Sequence, residues 1–301
     1  MSRRSAAEGT TRPELLRALG RLADPAPDHQ LCELLGLPAP PPAHVHTEVF
    51  LLQSHPYASV HLGADGLMGG EAGARVADFW RTLGFEPPTG ADRLSPLLTL
   101  YADLGEEELR SDGHRRRALA SARGALAWEH LVPWVPTYLG VVVRLGDPFY
   151  GAWARLLLEA LEVELSTLPE RADLPRALAA SPPPCDAGTR TALLESLLAP
   201  ARSGIVVTRA DLVEAGRDLG LAVRLGERRY TLGGLLDQDA PATLRWLGRL
   251  AAGWGEYHQG LATGPLAPVA RWWASRARHT AGALTTAPAT DAEGSMAGSS
   301  A

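Results

Sequence analysis

Residues 76–85 read Val-Ala-Asp-Phe-Trp-Arg-Thr-Leu-Gly-Phe, and the spacing of their apolar side chains predicts a helix. Apolar side chains recur three and four residues apart, so they share one side of a helix, while the charged side chains fall on the other. The apolar side consists of Val76, Phe79, Trp80 and Leu83. A loop precedes this helix at residues 54–60, and another follows it at residues 86–94. We interpret the segment as a core helix between two loops.

The two loops carry side chains that suit either a binding cleft or ordinary turns. The first loop contains an aromatic residue, Tyr57, and the second contains an acidic residue, Asp92. Connections between packed helices usually run about two to eight residues, so elaborate loops point to a cleft for a peptide or another ligand. In the alternative, both loops are simple turns, and Asp92 caps the helix that carries Leu94 and Tyr101. Spacing alone favours the turns.

Helical spacing extends along most of the chain and predicts an all-α fold, a helical bundle. No segment before residue 200 shows the strict apolar–polar alternation of a strand. Pro133 and Pro136 interrupt a helical run at residues 111–145, where proline predicts a kink or a break. Another helix starts at Asp147, and Glu164 falls beside its apolar stripe. We expect the Glu164 carboxylate to reach solvent at the helix end rather than to meet a cation.

A proline-rich segment near residue 182 predicts a boundary between two parts of the chain. Residues 11–180 form the predicted helical domain, and residues 181–282 form a helical extension packed on it. A short β-hairpin is a candidate structure for residues 221–232, because Gly226-Glu227 resembles a hairpin turn. The ends of the chain, residues 1–10 and 283–301, are small and polar, which predicts disorder.

The extension allows an alternative functional hypothesis. Thr208 is a predicted cap of a helix that ends at Gly220. A helix followed by an arginine-bearing hairpin resembles a winged helix, in which Arg224, Arg228 and Arg229 would contact DNA phosphates. The alternative is therefore a helical protein with a winged-helix-like DNA-binding regulator at its C-terminal end. Interspersed acidic residues dilute this basic charge and weaken the hypothesis.

Bulk properties exclude several classes of protein. A formal net charge of −5 over 301 residues argues against a general nucleic-acid binder, which needs a basic surface. The two cysteines, Cys32 and Cys185, are far apart, so we predict no disulfide framework and a reducing compartment, the cytoplasm. No apolar run approaches the roughly 18 residues that a membrane-spanning helix needs, and we expect no membrane insertion.

Catalytic and metal-binding patterns are absent from the sequence. His44 and His46 are two residues apart and do not share a helix face, which argues against a metal pair. Ser59 lacks the strand–turn–helix context of a hydrolase nucleophile. His130, between Trp128 and Trp134, is interpreted as a packed histidine rather than a base. We predict no catalytic residue, no metal and no cofactor; a metal-dependent helical hydrolase is kept as a third alternative.

Five short motifs resemble, in order and spacing, the TorD/DmsD/NarJ family of cytoplasmic chaperones for molybdoenzyme maturation. The resemblance covers roughly residues 10–170. The motifs are Pro56-Tyr57-Ala58-Ser59-Val60 followed by Gly69-Gly70, then Phe79-Trp80-Arg81-Thr82-Leu83-Gly84-Phe85, the loop with Asp92, Trp128-Glu129-His130-Leu131-Val132-Pro133-Trp134, and Pro148-Phe149-Tyr150. Each motif is weak by itself, and their succession is what carries the resemblance.

The resemblance implies a TorD-like helical bundle that binds a molybdoenzyme catalytic subunit or its twin-arginine leader peptide. Such a chaperone holds the apo-enzyme until its cofactor is inserted, prevents premature export, and is a monomer or a homodimer. The expected peptide-binding residues are Pro56, Tyr57, Ser59, Trp80, Asp92, Arg93, Trp128, His130 and Trp134. The family usually has Asp-His where this chain has Asp92-Arg93. Arg93 would repel the leader's arginines, so either it points to solvent or recognition differs in this branch.

Overall fold

The computed structural model describes residues 13–25, 27–169, 171, 173–185, 189–224 and 226–286. All regular structure in these ranges is helical, which confirms the all-α prediction. The α-helices are α1 (Pro13–Leu22), α2 (His29–Leu34), α3 (Ala43–His46), α4 (Ala58–Leu62), α5 (Gly70–Thr82), α6 (Leu94–Arg110), α7 (Gly113–Ala125), α8 (Val135–Arg144), α9 (Pro148–Thr167), α10 (Arg176–Ala179), α11 (Arg190–Leu198), α12 (Pro200–Ser203), α13 (Arg209–Leu219), α14 (Arg228–Gly260) and α15 (Ala267–Thr286).

Two π-helical segments and one 3₁₀ turn extend these helices. The segment Thr47–Gln53 continues α3, and the segment Leu126–Leu131 continues α7. The 3₁₀ turn Gly264–Leu266 leads into α15. No helix in the described ranges has the length and apolar character to cross a membrane.

Capping residues start two helices where the sequence predicts them. The Asp147 carboxylate accepts a hydrogen bond from the Tyr150 backbone N–H at 2.8 Å, and α9 begins at the next residue. Thr208 and Asp211 form a reciprocal capping box at the start of α13. Such bonds satisfy N–H groups that the first turn of a helix leaves unpaired. The helix ends at Gly220, in a left-handed conformation, as predicted.

The first of two hydrophobic cores joins α1, α6, α8 and α9. Its largest fully buried side chains include Tyr101, Trp134, Tyr138 and Trp153. Trp153 Nε1 donates a hydrogen bond to the carbonyl of Leu19 at 2.9 Å, so the indole is buried without an unsatisfied donor. This bond fixes α9 against α1.

The predicted break in the long helical run lies at Trp134, between the π-helical segment Leu126–Leu131 and α8. Side chains from the C-terminal helices donate hydrogen bonds to two proline carbonyls beside this break. Trp273 Nε1 donates to Pro133 O at 2.9 Å, and the Tyr257 hydroxyl donates to Pro136 O at 2.8 Å. The C-terminal helices therefore satisfy backbone groups at a position where the regular helical pattern is interrupted.

The second core lies in the C-terminal part and is built mainly from α11 to α15. It includes Leu232, Leu247, Trp254 and Leu284, and Val141 of α8 also belongs to it. Trp273 of α15 belongs to the first core, so this helix contributes to both. The two parts of the chain are thus packed together, while the boundary near residue 180 stays a prediction.

The prediction of a hairpin at residues 221–232 is wrong. Residues 228–232 form the start of α14, and the described residues contain no strand, only an isolated bridge elsewhere. Leu232, Leu235 and Leu236 are spaced as one face of a helix and are buried in the second core, which explains why a helix forms. The wing required by the DNA-binding alternative is therefore missing from the described residues.

The predicted disordered ends are outside the described ranges, with one exception. Residues 283–286 belong to α15, and Leu284 is buried in the second core, so the predicted disordered tail begins too early. The structure does not describe residues 1–12 or 287–301.

Glu164 meets a cation, contrary to the expectation that it reaches solvent. Its side chain is buried, and Oε2 accepts hydrogen bonds from the Tyr101 hydroxyl at 2.8 Å and from Arg123 Nη1 at 3.1 Å. Arg123 also donates to Glu108 at 2.9 Å. Burying a carboxylate is costly unless it is paired and hydrogen-bonded, and this cluster supplies both kinds of partner.

Candidate functional site

The two loops predicted beside α5 are joined directly by backbone hydrogen bonds. The Ala58 N–H donates to Asp92 O, and the Leu94 N–H donates to Pro56 O, both at 2.9 Å. Tyr57 and Arg93 form an antiparallel bridge between these bonds. Ser59 of the first loop and Asp92 of the second are 33 residues apart in sequence, and the two loops together hold the starts of α4 and α6 side by side.

Asp92 caps α4 and not α6. The carboxylate is 7% exposed, and its Oδ2 accepts a hydrogen bond from the Ser59 N–H at 3.0 Å, within the first turn of α4. Helix α6 begins after Arg93 without any side-chain cap, so the predicted capping of that helix is wrong. Ser59 is also buried, and its Oγ accepts a hydrogen bond from the Gly69 N–H at 3.0 Å.

A test of this cap follows from its geometry. We expect Asp92→Ala to lower the free energy of unfolding by about 1–3 kcal/mol, because the Ser59 N–H is then buried without an acceptor. Urea titration followed by circular dichroism measures this change. Asp78→Asn, at an exposed carboxylate on α5, is the control, and we expect it to change stability by less than about 0.5 kcal/mol. Equal effects of the two substitutions would contradict the cap.

Four of the predicted binding residues reach the surface at least in part. Tyr57, Trp80, Arg93 and His130 are half-buried. Trp80 Nε1 donates to the Ala91 carbonyl at 3.2 Å, which holds the second loop against α5. The other predicted residues, Pro56, Ser59, Asp92, Trp128 and Trp134, are buried. The role of all nine residues in peptide binding stays a prediction.

Trp128 and Trp134 are 5% and 0% exposed, so neither indole lines a surface groove. Trp134 stacks on His61, with ring centroids 5.4 Å apart, and its Nε1 donates to the carbonyl of His130 at 2.8 Å. Burial lowers the pKa of His61 to about 3, so this histidine is neutral at physiological pH. These aromatic side chains therefore pack in the core and do not form part of the surface.

His130 packs as the sequence predicts and faces a cleft. Its ring contacts Phe79, with centroids 4.6 Å apart. Burial lowers the pKa of His130 to about 4, against a smaller opposing effect of Glu129, so the ring is uncharged at pH 7. A neutral imidazole beside a phenyl ring suits an apolar surface.

The apolar cleft, as we name it, has a volume of about 480 Å³ and lies between α4, α5, α10 and the segment Leu126–Leu131. Its floor is mainly apolar and consists of Ala58, Leu62, Ala72, Val76, Phe79 and His130. Helical spacing places Phe79 only on the core side of α5 and does not reveal that it lines the cleft. Its position in the motif at residues 79–85 was the available signal.

Charged side chains surround the apolar floor. Asp78 lines the cleft and pairs with Arg81 at 2.7 Å on the exposed surface of α5. Glu129 accepts from Arg171 at 2.6 Å and from the backbone N–H of Arg176 at 2.8 Å. The cleft thus combines an apolar floor with a charged rim of two carboxylates and three arginines, Arg75, Arg171 and Arg176.

Arg93 is neutralised by its surroundings. Its guanidinium pairs with Asp24 at 3.1 Å, and Asp24 also accepts a hydrogen bond from Ser95 Oγ at 2.9 Å. The charge that distinguishes this chain from the usual Asp-His pattern therefore has an acidic partner. Within the described ranges, no group of three or more His, Cys, Asp or Glu side chains is arranged to hold a metal ion.

Comparison with known proteins supports the resemblance. Residues 42–139 match the family model described as nitrate reductase delta subunit, whereas no curated protein matches the chain. The matched range contains both loops, all of α5 and the motif that ends at Trp134, and so includes most of the apolar cleft. The matched segment is thus similar to the TorD/DmsD/NarJ family of molybdoenzyme maturation chaperones.

Proposed function

We propose that this chain is a cytoplasmic chaperone that binds the twin-arginine leader, the apo form, or both, of a molybdopterin-containing oxidoreductase subunit. By holding the subunit, it aids cofactor insertion and prevents premature export. The observation that carries the proposal is the apolar cleft, because its floor and rim are built largely from residues of the matched family domain. Binding alone suffices for this role, so the chain needs no catalytic group.

The cleft fits the two chemical parts of a twin-arginine leader. An apolar segment of the leader contacts Val76, Phe79 and His130 on the floor. The leader's guanidinium groups pair with the rim carboxylates of Asp78 and Glu129, where charge-assisted and bidentate bonds are strong. Both carboxylates already pair with arginines that are about half exposed, and such surface ion pairs contribute only about 0–1 kcal/mol. Exchange for a leader arginine therefore costs little.

The predicted residues divide into two groups in this proposal. Tyr57, Trp80, Arg93 and His130 are accessible and contact the client directly. The buried residues Pro56, Ser59, Asp92, Trp128 and Trp134 act by fixing the loops and the wall of the cleft. Arg93 is kept from repelling the leader's arginines by its pairing with Asp24.

Titration with a leader peptide tests the proposal. The leader is taken from a molybdoenzyme encoded near this chain, and binding is measured by fluorescence anisotropy. We expect Phe79→Ala to weaken binding about tenfold or more, because truncating a buried apolar contact removes roughly 1.5–3 kcal/mol. Phe85→Ala is the matched control, since Phe85 is 49% exposed and lies outside the apolar cleft.

A leader in which both arginines are replaced by lysine tests the ionic part of recognition. Lysine cannot form the bidentate bonds of a guanidinium, so we expect weaker binding of this peptide.

Melting temperatures of both phenylalanine variants are recorded, and titrations are made well below them. The proposal fails if the unaltered protein binds neither leader, or if Phe85→Ala weakens binding as much as Phe79→Ala.

A further inference from the structure

A second cleft, of about 460 Å³, lies on the other side of α4 from the apolar cleft. Ala58 and Leu62 of α4 face the apolar cleft, whereas Val60 lines this one. Its opposite wall comes from the C-terminal part of the chain, at α11 to α14. We name it the arginine cleft, because it is lined by Arg202, Arg209, Arg228 and Arg229.

The basic side chains in the arginine cleft repel one another. Arg228 is half-buried, donates to the Val207 carbonyl at 3.0 Å, and has its pKa lowered first by burial and then by Arg209. His55 lines the same cleft, and its pKa is lowered by burial and then by Arg228 and Arg209. Bringing like charges together in a partly desolvated cleft is unfavourable, and an anion between them would relieve it.

In the part of the chain that the structure describes, only one of the four arginines in the cleft forms an ion pair with a carboxylate that lines it. Asp65 accepts a hydrogen bond from the Leu67 N–H at 3.0 Å, and Glu195 pairs with Arg229 at 3.4 Å. Glu227 is exposed at the start of α14. In the described ranges, Arg202, Arg209 and Arg228 have no ion pair. Three guanidinium groups thus remain available in one cleft.

Two further polar atoms in the arginine cleft are buried without a hydrogen-bond partner among the described residues. Ser54 is 4% exposed, and its Oγ has no partner. The Nε of Arg202 is also buried and unpartnered. Both residues line the cleft. Buried polar groups are nearly always hydrogen-bonded, so two unsatisfied donors in one place point to an acceptor supplied from outside the chain.

Exposed apolar side chains indicate what kind of anion fits. Leu52 and Leu67 line the cleft and are 39% and 63% exposed. A small inorganic anion would leave these side chains in water. A peptide that combines carboxylates with an apolar side chain would cover them and satisfy the guanidinium groups together.

We propose that the arginine cleft binds an acidic peptide segment, with its carboxylates on Arg202, Arg209 and Arg228 and an apolar side chain against Leu52 and Leu67. This site goes beyond the proposed function, because the leader proposed for the apolar cleft is basic, whereas a ligand of the arginine cleft is acidic. The partner is therefore a protein segment that carries several carboxylates and an apolar side chain.

The test uses the full chain and the fluorescein-labelled peptide Glu-Leu-Glu-Glu-Leu-Glu, with binding followed by anisotropy. We expect Arg209→Gln and Arg202→Gln each to weaken binding about tenfold or more, as the loss of a hydrogen bond to a charged group predicts. Arg209 is exposed, so its substitution spares the cores. The matched control is Arg249→Gln, an exposed arginine of α14 outside the cleft, which we expect to change binding less than about twofold.

Three further measurements distinguish binding of the acidic peptide at the arginine cleft from binding elsewhere or from binding of a simple anion. A peptide with glutamine in place of glutamate should not bind, and Leu67→Ser should weaken binding of the acidic peptide. Arg209→Gln should leave titration with the twin-arginine leader unchanged, so failure at this cleft is distinguishable from failure at the apolar cleft. The proposal is overturned if the acidic peptide does not bind, if Arg249→Gln matches Arg209→Gln, or if inorganic phosphate binds the cleft while the peptide does not.

Discussion

Replacing Arg123 by methionine is expected to lower the free energy of unfolding by about 3–5 kcal/mol, the usual cost of leaving one partner of a buried ion pair alone. Glu164 is 3% exposed, and its ionic partner in the described structure is Arg123 at 3.1 Å. Methionine fills similar space without charge, so the loss reports the carboxylates of Glu164 and Glu108 left without their arginine. Urea denaturation followed by circular dichroism measures it.

Two companion variants make this result specific to the buried cluster. Arg115→Met removes an arginine that is 70% exposed and pairs with Glu107, so we expect a change of about 0–1 kcal/mol. Adding Glu164→Gln to Arg123→Met should recover part of the loss, since the buried carboxylate is then gone. If Arg123→Met costs no more than Arg115→Met, the cluster does not stabilise the fold in this way.

Gly204→Ala is expected to destabilise the chain by roughly 2–5 kcal/mol, from about 1–2 kcal/mol of left-handed strain and about 1–3 kcal/mol of overpacking. Gly204 ends α12 with φ +73°, and an added Cβ would lie 2.2 Å from the backbone nitrogen of Ala277. Backbone atoms of α15 cannot move aside as a flexible side chain can. Thermal and urea unfolding both report this change.

Gly220→Ala provides the matched control for the packing contribution. Gly220 has φ +67°, so alanine there meets the same strain, yet nothing lies within 4 Å of the added Cβ. The excess cost of Gly204→Ala over Gly220→Ala therefore measures the close approach of α12 to α15. Equal costs would show that α15 yields at this contact.

Helices were predictable because their signals are local. Apolar spacing and the caps at Asp147 and Thr208 each depend on residues within a few positions, and the structure confirms them. The hairpin prediction was wrong because a local turn signal at residues 226–227 competed with leucines that pack on the second core. Tertiary packing decided the outcome there.

The environment of the site was less predictable, because it depends on distant partners. Asp92 is buried through a bond to a loop 33 residues away, and Glu164 is paired with Arg123 from another helix, 41 residues away. Neither partner has a short-range sequence signal. The motif residues could be named from sequence, but which side chains reach the surface could not, since burial is set by how α4 and α5 pack.

The hydrogen bonds at the proline break join segments that the ribosome makes at different times, so they can form only late in synthesis. The carbonyl of Pro136 accepts a hydrogen bond from a hydroxyl 121 residues later in the chain, and the carbonyl of Pro133 accepts one from an indole 140 residues later. While the ribosome is still making the C-terminal helices, the matched family domain lacks Trp273, a side chain of its own core. Until that tryptophan is synthesised, the first core lacks one of its largest fully buried side chains.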